Sequence, residues 1–138
     1  MNHDISKKLS NIAPVVLRLG LAAVYVWFGF SQLSNPNMWT SLVPAWASGL
    51  LGMSTLTIVH LNGVFEIIAG GMLAFGFYVR LVSGLLFIHL LIIATHLGIG
   101  PVGVRDFGLS FATLALFLFG EDEHCLSAKK DPFPTIRS

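Results

Sequence analysis

Long apolar runs alternate with short polar breaks along this chain. The apolar runs cover approximately residues 12–33, 53–78, 81–99 and 101–120. Each is close to the roughly 20 residues that a helix needs to cross a hydrocarbon core about 30 Å thick. The pattern therefore predicts an all-α fold, an integral membrane four-helix bundle. It divides the chain into a polar N-terminal segment (1–11), the bundle (12–120) and a polar tail (121–138). Asn35, Pro36 and Asn37 end the first run, and Arg80 marks the end of the second. Gly98, Gly100 and Pro101 break the third, and Glu121, Asp122 and Glu123 follow the fourth. Pro14 falls near the start of the first helix, where a missing N–H is tolerated. The fourth helix must begin near Pro101, because a start at Phe107 would leave it only about 20 Å long. Residues 34–52 carry no charge but hold Pro36, Pro44, Trp39 and Trp46. That mixture suits a loop or short helix lying in the membrane interface.

Composition agrees with the pattern. The chain has 138 residues, of which 54% are hydrophobic and 11% charged, and its mean hydropathy is +0.77. A soluble domain carries roughly a quarter charged residues, so a soluble fold is excluded, and the apolar content excludes disorder. A net charge of +1 gives no footprint for nucleic acid. The single cysteine, Cys125, excludes an internal disulfide and a CxxC pair, and beside the acidic run it reads as a surface thiol. The first apolar run is too long for the core of a secretory signal and reads as a span. Lys7, Lys8, Arg18, Arg80, Lys129, Lys130 and Arg137 fall at the two termini or the turn between the second and third spans; Arg105 falls on the other side. The positive-inside rule then places both termini in the cytoplasm. Phosphate-loop, HExxH and GxSxG patterns are absent. Glycines cluster within the spans, where they let helix backbones approach closely.

Ionisable residues inside a span need a partner or a function. Helical rise from the turn at Arg80 puts Glu66 about 18 Å and His89 about 14 Å up, with His60 about 27 Å and His96 about 24 Å up. The second and third spans must be antiparallel neighbours, so two polar rungs are expected. Glu66 pairs with His89 at mid-depth, and His60 and His96 lie toward the outer face with Arg105 and Asp106 of the fourth helix. Each also has a plainer reading. Asp106 complements a helix N-terminus, Arg105 anchors at the interface, Glu66 joins helices, and Arg18 snorkels near the inner face. The concentration at one depth favours chemistry. Histidine, arginine and carboxylate supply donors to the carbonyl oxygens of a quinone and a relay for its protons. A b-type haem between His60 and His96 is less favoured, since helices joined by a short turn leave little room for a macrocycle. A lone metal on His60, His96 and Asp106 is a further alternative.

Three stretches carry a resemblance. The first is Arg18, Leu19, Gly20 and Leu21 with Phe28, Gly29, Phe30, Gln32 and Leu33. The second joins Asn62, Gly63, Val64, Phe65 and Glu66 to Ala69, Gly70 and Gly71, and closes on Gly76, Phe77, Tyr78, Val79 and Arg80. The third is Val104, Arg105, Asp106, Phe107, Gly108 and Leu109. Together these resemble the DoxX family of small bacterial and archaeal membrane proteins. The resemblance implies a four-helix bundle in the cytoplasmic (inner) membrane. The family includes relatives of the small subunit of thiosulfate:quinone oxidoreductases and members tied to redox or detoxification assemblies, although many have no assigned activity. This chain lacks an obvious extended soluble portion. The expectation is a quinone-interacting or electron-transfer subunit of a membrane redox complex, with a non-catalytic accessory subunit of a larger membrane complex as the alternative. Glu66, His89, Arg105 and Asp106 are the candidate catalytic groups, and His60, His96 and Arg105 the candidate cofactor-binding groups.

Overall fold

The structure, a computed structural model, describes residues 3–122 and 124–126. Five α-helices follow in order: α1 (His3–Ser34), α2 (Ala45–Leu51), α3 (Thr55–Phe75), α4 (Val79–Leu97) and α5 (Pro101–Phe119), with two 3-10 turns between α1 and α2. α1, α3, α4 and α5 are long and apolar enough to cross a membrane. The short α2 exposes Trp46 and Leu50, as an element lying in the interface would. The polar tail beyond Leu126, with Lys129, Lys130, Pro132 and Pro134, lies outside the described residues.

Local signals set the helix ends. Ser54 caps α3 by accepting from the Thr57 amide at 3.2 Å. Gly76 closes α3 in the left-handed region (φ +70), and the Phe77 amide returns to the Met72 carbonyl at 2.8 Å. α5 starts on Pro101, as its length requires. α1 departs from expectation. It begins at His3 rather than near Ile12, so Pro14 lies inside the helix, not in its first turn. Lys7, Lys8, Ile5 and Leu9 are acceptable helix residues, and nothing before Pro14 breaks the helix.

The four spans form a ring in which α1 neighbours α3 and α5, and α4 neighbours α5 and α3. Packing is uneven. α1 and α3 form one close pair, and α4 and α5 another, while the joints between the pairs are narrower. In the first pair the backbones touch: a Cβ on Gly29 would stand 2.5 Å from the Gly63 carbonyl oxygen. Such contact replaces the hydrophobic drive that lipid cannot supply. At the joint between α1 and α5, a side-chain hydrogen bond connects the pairs. Tyr25 of α1 bonds to Thr113 of α5 at 2.8 Å. The core around them is apolar, with Leu73, Leu86 and Leu116 fully buried. Ser83 and Ser110 in this zone spend their hydroxyls on carbonyls of their own helices. The result is an apolar middle between two polar ends.

Candidate functional site

At the end where α3 and α5 finish, Arg18 is 2% exposed. Its Nε donates to Asp122 at 2.7 Å, and its Nη1 donates to the carbonyls of Leu73 (2.6 Å) and Ala74 (2.8 Å). Those carbonyls belong to the last turn of α3, where helical partners have run out. The chain after α5 thus folds back beneath the bundle. Asp122 also accepts from the His124 amide at 2.9 Å, and its own amide donates to the Cys125 sulfur at 3.2 Å. Cys125 is fully buried against Gly76, where an added Cβ would meet it at 2.6 Å. Two expectations are corrected here. Arg18 does not snorkel, because its guanidinium is committed to two carbonyls and a carboxylate inside the protein. Cys125 is not a surface thiol, because the Arg18 bond to Asp122 draws its segment into the core. Burial pushes the Asp122 carboxyl up, but the hydrogen bonds from Arg18 and the His124 amide outweigh it and hold it below its ordinary range. Burial raises the Cys125 thiol above its ordinary value.

The second cluster sits nearer the other end. Glu66 of α3 is 4% exposed and accepts from Gln32 of α1 at 2.8 Å. Gln32 in turn accepts from Asn62 at 2.8 Å. His89 of α4 brings its Nε2 to 3.8 Å from the other Glu66 oxygen, too long for a hydrogen bond. The mid-depth rung of Glu66 and His89 is therefore present as a 3.8 Å approach of the two side chains. The His89 Nε2 is buried and has no hydrogen-bond partner. Phe65 packs edge-on against the same ring, with centroids 5.1 Å apart.

Beside it, α5 presents Arg105 and Asp106 in its first two turns. Arg105 Nε donates to Asp106 at 2.8 Å; the Asp106 side chain is 6% exposed and that of Arg105 is 43% exposed. The guanidinium lies over the Phe28 ring of α1, 4.7 Å from its centroid. Phe28 and Gln32 are four residues apart on α1 and so share a face. Tyr25 lies one turn below, within electrostatic range of both Glu66 and Asp106. One face of α1 thereby makes the two carboxylate groups adjoining parts of a single site.

His60 and His96 stand apart from it. His60 is partly buried and His96 exposed, and neither makes a hydrogen bond or ion pair among the described residues. For His60 the ring order explains this: α3 and α5 lie on a diagonal, so Arg105 turns to α1 and away from His60. No three His, Cys, Asp or Glu side chains among the described residues could share a metal ion. The metal alternative on His60, His96 and Asp106 is therefore not formed. A cavity of about 260 Å³ between the C-terminal end of α4 and the N-terminal end of α5 is lined by Ala94, Gly98, Ile99, Gly103, Val104 and Phe107, and includes no cluster residue.

Gln32, Asn62, Tyr25, Phe28 and Thr113 were not singled out from the sequence as site residues. Gln32 and Asn62 were signalled by being uncharged amides within apolar runs. Tyr25, Phe28 and Thr113 carry no such signal.

Four apolar spans around buried carboxylates define a multi-pass membrane protein with a polar site inside its bundle. The DoxX family model matches residues 13–98, more than half of the chain, and the protein belongs to the DoxX family. The match covers Glu66, His89, His60 and His96 and stops before α5, so Arg105 and Asp106 lie beyond it. Comparison with curated proteins and with solved structures yields no match.

Proposed function

We propose that the cluster of Glu66, His89, Arg105 and Asp106 receives the head group of a quinone. In this reading the protein is a quinone-interacting or electron-transfer subunit of a redox complex in a bacterial or archaeal cytoplasmic membrane, with both termini cytoplasmic. One observation carries the reading: the buried His89 Nε2 has no hydrogen-bond partner. A buried polar atom without a partner costs about 1–3 kcal/mol, and a ligand oxygen would remove that cost. The donor set fits a quinone, which carries two carbonyl oxygens and takes up two electrons with two protons when reduced. His89 and the exposed edge of Arg105 supply donors, and Glu66 and Asp106 supply carboxyl groups able to hold protons. Phe28 and Phe65 supply aromatic surface beside them.

The test is saturable binding of a short-chain quinone to the protein in nanodiscs, with His89→Ala and Arg105→Lys as probes. Arg105→Lys keeps the charge and removes the planar fork of donors. The reading expects both variants to assemble and to bind at least about tenfold more weakly, a loss of about 1.4 kcal/mol. Absence of saturable binding by the wild type would favour the accessory-subunit reading.

A further inference from the structure

α1 is longer than its partners. Its 32 residues would span about 48 Å, against roughly 30 Å for a hydrocarbon core. The excess lies at the N-terminal end. Every residue from 4 to 13 is exposed, whereas Pro14 is buried. The arm continues a helix already nucleated, but Ile5, Leu9 and Ile12 on it are exposed, and burying such apolar surface is favourable.

The arm is amphipathic. Ile5, Leu9 and Ile12 are 50%, 57% and 53% exposed, and their spacing of four then three places them on one face. The same alternation continues through Val16 and Leu19, which are 64% and 47% exposed within the span. Those two face the lipid, so the arm's stripe continues an existing lipid interface. Lys7 and Lys8 add positive charge to the arm against the single acid Asp4.

Pro14 sets the direction. It lies two positions, about 200° around the helix, from both Ile12 and Val16. It therefore stands opposite the apolar stripe, on the side that faces the bundle. A proline ring inside a helix clashes with the preceding turn and opens the helix on its own side. A bend of this kind would bring the opposite face inward, which is the face carrying Ile5, Leu9 and Ile12.

From these features we infer that residues 3–13 form a membrane-surface arm. Its apolar stripe lies at the headgroup boundary, and its lysines meet anionic lipid. This differs from a helix standing in water and from a seam for a second copy of the chain.

The experiment uses the full chain in vesicles, with single cysteines at Ile5, Leu9, Ser10 or Ile12 carrying a fluorophore. Native Cys125 is buried and stays unlabelled in the folded protein. In vesicles containing anionic phospholipid, a lipid-borne quencher should act at least about threefold more strongly on labels at 5, 9 and 12 than on the label at 10. Pro14→Ala should reduce that contrast. Uniform accessibility to a water-soluble quencher would overturn the proposal. Protection of 5, 9 and 12 from both quenchers, with energy transfer between labelled copies, would overturn it in favour of a dimer. If the contrast is unchanged in purely zwitterionic vesicles and in the Lys7→Glu, Lys8→Glu double variant, the anionic-lipid component is overturned.

Discussion

The two polar clusters of this bundle use similar chemistry to opposite ends. At one end, an arginine and an aspartate are both buried, and the guanidinium reaches a carboxylate and two helix-end carbonyls. At the other, an arginine and an aspartate adjoin, but the arginine is half open and a buried histidine nitrogen lacks a hydrogen-bond partner. The first arrangement fastens a segment; the second holds polar groups ready. Satisfaction separates them, not charge. A saturated buried network rigidifies its surroundings, whereas an unsaturated one has capacity left for a ligand.

The sharpest way to break this contrast is at Arg18. Arg18→Ala leaves Asp122 buried without its cation and should cost about 3–5 kcal/mol of stability, read from unfolding in detergent. Replacing both partners, Arg18→Met with Asp122→Leu, should recover most of that loss. A single variant as stable as wild type would show that the fastening is idle. Next comes the contact between α1 and α3. Gly29→Val places atoms against the Gly63 carbonyl and Ile67 and should destabilise the bundle by about 1–3 kcal/mol. It should do so without the selective loss of ligand expected at the open cluster.

Glu66→Gln should show the reverse profile. The amide oxygen can still accept from Gln32, so unfolding should shift by less than about 1 kcal/mol, while quinone affinity falls about tenfold. A large stability loss with unchanged affinity would make the open cluster a second fastening. The smallest effect concerns acid. The Asp122 carboxyl is held below its unfolded value of about 3.9. Its contribution is present in full above that pH and is lost as pH falls through the lower folded value. Amide exchange at Cys125 and Leu126, normalised for intrinsic rate, should stay slow from about pH 5 upward and accelerate only below about pH 4. Protection lost near neutral pH would assign the fastening to another group.

Much of the fold was legible because lipid imposes a simple rule: long apolar runs become spans. The start of α5 at Pro101 and the meeting of Glu66 with His89 followed from counting helical rise. The ring order did not, since no periodicity states which helices lie on a diagonal, and the expected approach of His60 to Arg105 and Asp106 is absent for that reason. The link from Arg18 to Asp122 joins residues 104 positions apart. Composition alone made Asp122 look like part of a solvated acidic run, and the same run hid the burial of Cys125. The helical arm before Pro14 was hidden because proline is read as a start signal even where the helix has already begun.

The apolar middle has a consequence for an energised membrane. Between the carboxyl groups of the open cluster and the buried aspartate at the other end lie Leu73, Leu86 and Leu116, fully buried. The serine hydroxyls in that zone are committed to their own helices. A proton hopping through a protein needs a string of groups that can accept and pass it on. Among the described residues of this zone, the hydroxyl pair of Tyr25 and Thr113 is the link that joins two helices. An axial path along described side chains would have to use that pair and then cross the leucines, so the layer works against leakage of an electrochemical gradient.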